Sequence, residues 1–425
     1  MKYVKKDFGS YKLHMIKTNK FKTIKIRISF RNQIKKDEIT MRNILSHMLT
    51  YSSNKYKTKR DLIIEAQNLY DASIYVGNSR YGNYINTNIN LTVLNDKYTE
   101  EGNYKNSLYF LKELIYNPNV SDNKFDEEVL NIVKKNCLTS LESIKEDTTY
   151  YSIIRLYEAM DKDSPLSYRM CGYIDDLDKV NSSNLYTYYK NMINKDLMDI
   201  FVVGDIDFIE TEELIKENFP VKTFKKKRVS YYLPEKKARS KRLFAKEQAE
   251  NSQSKLAIGC RYYGLSSYEK SYPLTLYNII LGVGSDSKLF REVREANSLC
   301  YDISSVLNKL DNTLIIRAGV NRKNVKKTVD LSNTQMNLMK KGKFGDDVIE
   351  KAKEFFSTSL DSMLESQSNI IDFYFMMDIL KLDDLDTRRK KMAKVTKAEI
   401  VKVAKKVKMD TIYCLEGIKE WERLN

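Results

Sequence analysis

Residues 23–30, TIKIRISF, alternate polar and apolar side chains with a period of two, the pattern of a strand with one buried face. Residues 39–51 then place Ile44, Leu45, Met48 and Leu49 on one side of an amphipathic helix. Alternation resumes in residues 72–93, which contain IYVGNSRYGNYINTNINLTV and predict a strand pair. Residues 124–131, KFDEEVLN, start a further helix, and residues 195–206, KDLMDIFVVGDI, read as a buried strand entering a turn.

The same order returns downstream. Residues 254–263, SKLAIGCRYY, predict a strand, residues 272–281 a helix, and residues 301–320, YDISSVLNKLDNTLIIRAGV, another strand pair. KFGDDVIEK at 343–351 echoes KFDEEVLN, and MDTIYCLEG at 409–417 echoes DLMDIFVVGD at 196–205. The predicted fold is therefore α+β: two tandem homologous domains, each an antiparallel β-sheet flanked by helices. Pro220 and Pro234 punctuate a polar connection, so the expected divisions are an N-terminal domain 1–221, a basic linker 222–245 and a C-terminal domain 246–425.

Composition supports order throughout. The chain has 425 residues, too many for one core, and 42% are hydrophobic with only five prolines. The N-terminal MKYVKKD leads into no apolar stretch, and no apolar run approaches the roughly 18 residues of a membrane span. Five widely spaced cysteines form neither a CxxC site nor a paired framework, which predicts a reduced, cytoplasmic protein. Net charge is +16, and ten of the 21 residues in 222–242 are Lys or Arg, with Tyr231 and Tyr232 among them. No nucleic-acid-reading motif accompanies that run, so it reads as a solvated linker or a docking surface for an acidic partner. With two histidines and neither GxSxG nor GKS/T, no nucleophilic or nucleotide-binding site is expected.

Two segments carry a family resemblance: VVGDID at 202–207, and Gly282-Val283-Gly284-Ser285-Asp286-Ser287-Lys288-Leu289-Phe290 running on to Arg294 and Tyr301. They resemble the insulinase/pitrilysin zinc metallopeptidase family, in particular the bacterial branch similar to the mitochondrial processing peptidases, and the resemblance covers essentially the whole chain. It implies tandem α+β domains whose paired units enclose a peptide chamber. The catalytic signature of active relatives is HxxEH on a helix, with a glutamate from a later helix: two imidazoles one turn apart hold Zn²⁺ while the intervening carboxylate deprotonates the bound water. The matching stretch here is Asn43-Ile44-Leu45-Ser46-His47, so Asn43 replaces a ligand, Ser46 replaces the base, and His47 alone remains. Glu128 is the nearest match to the distal glutamate. One imidazole and one carboxylate make no zinc site, so no metal and no cofactor is expected. His47 then reads as a hydrogen-bonded structural residue and Glu128 as a solvated helix-start carboxylate. The other histidine, His14, falls in the first strand region.

Arg294 and Tyr301 resemble the arginine and tyrosine with which the metal-free half of active relatives reaches substrate and the tetrahedral intermediate. The resemblance implies a non-catalytic subunit that closes the peptide chamber of an HxxEH-bearing partner and lends these two side chains to peptide or precursor processing. Two alternatives stay open: a peptide-binding or structural module without catalytic contribution, and an enzyme with a remodelled metal site.

Overall fold

The computed structural model describes residues 1–219 and 230–418. Lys225, Lys226, Lys227 and Arg228, the densest part of the basic run, lie outside the described residues. The strands are β1 (Lys2–Asp7), β2 (Tyr11–Lys17), β3 (Thr23–Gln33), β4 (Ser73–Tyr81), β5 (Tyr84–Leu94), the short pair β6 (Val120–Ser121) and β7 (Lys124–Phe125), β8 (Leu197–Gly204), β9 (Leu243–Ala249), β10 (Ser254–Tyr262), β11 (Cys300–Asn308), β12 (Thr313–Val320) and β13 (Val407–Gly417). The helices of the first half are α1 (Ile39–Met48), α2 (Lys59–Asn68), α3 (Asn103–Tyr116), α4 (Glu127–Glu142), α5 (Thr148–Asp161), α6 (Ser182–Lys195) and α7 (Phe208–Asn218). Those of the second are α8 (Ser267–Ser271), α9 (Pro273–Gly282), α10 (Val325–Lys340), α11 (Asp346–Met363), α12 (Gln367–Leu380), α13 (Leu385–Ala393) and α14 (Lys397–Lys406). No described helix is long and apolar enough to cross a membrane.

One sheet has the order β1-β2-β8-β3-β5-β4 and the other β11-β12-β10-β13-β9. Without β1 the two orders correspond strand for strand, with β3 matching β10, β5 matching β12 and β8 matching β13. The tandem α+β expectation holds, but the sheets are not purely antiparallel. β2 pairs parallel with β8, and β9 pairs parallel with β13. The cause lies in the connections: β8 and β13 rejoin their sheets after several helices, and a crossover of that length permits a parallel neighbour that a hairpin forbids.

Each sheet is covered by a helix from the opposite half of the sequence. One compact unit comprises Met1–Glu142, Arg169–Tyr231 and Met363–Leu382, and the other Ser143–Tyr168, Tyr232–Ser362 and Asp383–Asn425. In the first unit α12 lies on the sheet through named contacts. Gln367 Nε2 donates to the carbonyls of Thr23 (2.8 Å) and Val203 (3.0 Å), Tyr374 stacks on Tyr3 at 4.1 Å, and Asp378 pairs with Lys5 (2.8 Å) and Lys12. In the second unit α5 supplies Leu156 and Met160 to a core with Ala257, Ile315, Tyr413 and Leu415. A Cβ at Gly259 would sit 2.3 Å from the Met160 sulfur, so any side chain there would displace Met160 from the core.

Candidate functional site

The helix carrying the degenerate zinc motif forms because Ile39, Ile44, Leu45 and Met48 recur on one buried stripe. Asn43, Ser46 and His47 therefore emerge together on a neighbouring face, one turn apart. Asn43 and Ser46 are consumed in a hydrogen-bond network. Asn43 Nδ2 donates to the Cys171 carbonyl at 3.1 Å and to the Cys137 sulfur of α4 at 3.7 Å. Asn78 of the edge strand β4 donates to Asn43 Oδ1 (3.4 Å) and to Ser46 Oγ (3.3 Å), while Ser46 donates to the Asn43 carbonyl at 2.7 Å. Behind them Thr87 donates to Asn78 Oδ1 at 2.7 Å and accepts from Arg42, whose guanidinium is buried against Asp196 at 2.7 Å. The Asn43 amide thus joins α1, α4 and β4. It is a neutral cross-brace between the helix of the degenerate motif and α4.

His47 departs from the expectation of a satisfied structural residue. Its ring is exposed and makes no hydrogen bond or ion pair among the described residues. It lines a cavity of about 240 Å³ together with Asn43, Lys59, Asn136, Cys137 and Ser140. Partial burial and the Lys59 ammonium hold its pKa below the ordinary imidazole value. Glu128 is exposed in the first turn of α4 and does not line this cavity. The α4 residues that line it, Val133, Asn136, Cys137 and Ser140, begin more than one helical turn, about 7.5 Å, further along. The structure thus brings Asn43, Ser46 and His47 together and leaves Glu128 apart.

The donor set does not fit a zinc peptidase centre. No carboxylate lines the cavity among the described residues. Burial pushes the Cys137 thiol up to about 11, which keeps it protonated and a poor ligand at neutral pH. Convergence of His, Cys, Asp or Glu ligand atoms occurs, among the described residues, at His14, Asp199 and Asp378 beneath α12. There Arg31 pairs with Asp199 (2.8 Å) and Lys5 and Lys12 with Asp378, so both carboxylates are already compensated. His14 completes that cluster with a 2.8 Å hydrogen bond to the Tyr3 hydroxyl and a stack on Phe201 at 4.2 Å.

In the second unit the glycine turn after α9 sets up Arg294 and Tyr301. Gly282 abuts β11 so closely that a Cβ would lie 2.4 Å from Ser305 Oγ, and Gly284 takes a left-handed φ of +79°. Ser287 Oγ donates to the Gly284 carbonyl at 2.8 Å and starts a turn that becomes a π-helix over Phe290–Glu295. The π-helix was not legible in the sequence, and such widened turns are frequent at functional sites. It places the Arg294 guanidinium 4.4 Å from the Phe290 ring centroid and 5.5 Å from that of Tyr301. Arg294 forms no ion pair with Glu292 or Glu295, and Tyr301 is 78% exposed near the start of β11, an edge strand. Lys59 and Asn136 were not singled out from sequence; only their place beside His47 marks them.

The comparisons agree with this geometry. Residues 179–356 match the family described as "Peptidase M16 inactive domain". The chain is 26% identical over 424 residues to the "Probable inactive metalloprotease YmfF" of Bacillus subtilis (strain 168), covering 98% of this chain and 99% of that protein. A conserved protein from Enterococcus faecalis V583 has a similar structure, with a TM-score of 0.87, 27% identity, and coverage of 99% of this chain and 100% of that one. A peptidase M16 inactive domain from Pseudomonas fluorescens shares the fold, with a TM-score of 0.77, 16% identity and 99% of each chain covered. Residues 179–356 thus carry the M16 inactive-domain match, and the chain as a whole is similar to a probable inactive metalloprotease. The sequence lacks HxxEH, and among the described residues no carboxylate lines the corresponding cavity, in keeping with the probable inactive metalloprotease that the chain resembles.

Proposed function

We propose that this chain is the non-catalytic subunit of a heteromeric zinc peptidase. A separate M16 chain with an intact HxxEH motif supplies the metal and the attacking water. This subunit closes one side of the peptide chamber, receives an extended peptide along an exposed strand edge, and lends Arg294 and Tyr301 to the partner's site. The observation that carries the reading is the Arg294–Tyr301 pair: a guanidinium with no carboxylate partner among the described residues, beside a largely exposed phenol on an edge strand. Both groups are hydrogen-bond donors, and donors aimed at a scissile carbonyl stabilise the oxyanion that forms when water attacks it. Peptide or precursor processing is the process served. Five reduced thiols suit the cytoplasm.

The alternative is a peptide-binding or structural module with no part in the chemistry. Untagged purification of the native protein separates the two. Recovery together with an HxxEH-bearing chain is expected; recovery solely as a stable homodimer would favour an independent peptide binder.

A further inference from the structure

The cavity beside His47 has inverted electrostatics for a former metal site. An HxxEH-type zinc centre uses one glutamate as ligand and another as base, yet no carboxylate lines this cavity among the described residues. In their place stand three donors from three helices: the His47 ring of α1, the Lys59 ammonium of α2 and the Asn136 amide of α4. Lys59 makes no ion pair among the described residues and spends one N–H on the Thr50 carbonyl at 2.8 Å, leaving two for a ligand. It is also the first residue of α2, whose end is already closed by the Thr58–Asp61 capping box, so the free charge at this mouth is the ammonium itself. Asn43 is tied back to Cys171 and Asn78, which keeps the floor of the cavity in place.

We propose that this cavity is a carboxylate-binding site, with the Lys59 ammonium providing the positive charge. The group it takes is a carboxylate, whether the free C-terminus of a peptide or a small organic acid. The site is contained within the first unit and does not depend on the Arg294–Tyr301 reading.

The chain has two histidines, so its imidazole spectrum resolves the question. His14 is fully buried beneath α12 and serves as the internal control. The full chain, labelled at histidine and without any partner, is titrated with N-acetyl-tri-alanine, with its C-terminal amide and with acetate. The His47 resonance is expected to shift saturably with the free acid and with acetate, and not with the amide, while His14 stays fixed. Tighter binding of the peptide acid than of acetate assigns a peptide end; equal binding assigns a small acid. Lys59→Gln should weaken binding by about tenfold or more, and Lys59→Arg should retain it, because the charge-assisted contact is what the substitution removes. Equal binding of the amide, no shift of His47 in any arm, or unchanged affinity in a folded Lys59→Gln protein would overturn the proposal. Each of those results leaves the companion-subunit reading standing.

Discussion

Replacing Asn43 by alanine removes the one side chain that bonds to α4, to β4 and to the loop at Cys171 together. The loss comprises a hydrogen bond of ordinary length to the Cys171 carbonyl, a long one from Asn78 and a weak one to the Cys137 sulfur. One neutral hydrogen bond contributes about 1 kcal/mol net, and leaving a half-buried partner unsatisfied adds to that, so Asn43→Ala should destabilise the protein by about 1–2 kcal/mol. For a unit of this size each kcal/mol lowers Tm by about 2–4 °C, which puts the expected shift at about 2–8 °C. The assay is urea unfolding followed by tryptophan-independent far-UV dichroism, with the slope checked for change. Asn43→Asp serves as the companion variant: it keeps the acceptor for Asn78 but loses the donor to Cys171, and it should fall at or below alanine. A midpoint unchanged in both variants would mean that Asn43 is a neutral relic and that packing alone holds α1 against α4.

Three further outcomes follow from the same contacts. Burial alone would raise the pKa of Asp378, but Lys12 and Lys5 outweigh it and hold the carboxyl well below the usual carboxylate range. A depressed carboxylate stabilises above its unfolded value, about 3.9, and that stability is lost as pH falls through the folded value. Asp378→Asn should therefore cost about 2 kcal/mol at pH 7, after allowing for the partly exposed Lys5, and should flatten the acid limb of stability below about pH 4; parallel unfolding curves at pH 7 and pH 3 check both. Residues 1–221 expressed alone lack α12 and should give a poorly dispersed amide spectrum, whereas a dispersed, cooperatively unfolding fragment would contradict the helix exchange. Asn43→His combined with Asn136→Glu should bind zinc, because with His47 it sets two imidazoles and a carboxylate on one cavity; Asn43→His alone should not, and elemental analysis showing a full equivalent in the single variant would return Glu128 to the site.

The local patterns were legible where local physics decides them. Alternation in 23–30 and 72–93 corresponds to β3 and the β4–β5 pair, and the paired KF segments correspond to the starts of α4 and α11. The repeat order could be read because both copies retain the same periodicities. The parallel β2–β8 and β9–β13 pairs could not, since side-chain alternation fixes which face is buried but not which strand lies alongside. Nor could the exchange of α5 and α12, because an apolar stripe on a helix is the same whichever sheet it covers. At the site, Asn43, Ser46 and His47 were found through their fixed spacing on one helix. Lys59 and Asn136 reach the same cavity from separate helices, and Glu128 was attractive only because it is a carboxylate near the right place in the sequence.

The proposed companion role is tested most directly by peptide-cleavage turnover of an HxxEH-bearing M16 chain, alone and reconstituted with this chain as wild type, Arg294→Ala or Tyr301→Phe, with sizing chromatography confirming assembly in every case. Loss of one oxyanion donor typically costs about 10²–10³ in turnover, so each variant should lower turnover by about 10-fold or more within an intact complex, and Arg294→Lys should recover part of it. Turnover unchanged in both variants with complexes intact would reduce this chain to a scaffold, and turnover that never depends on adding the chain would contradict the account outright.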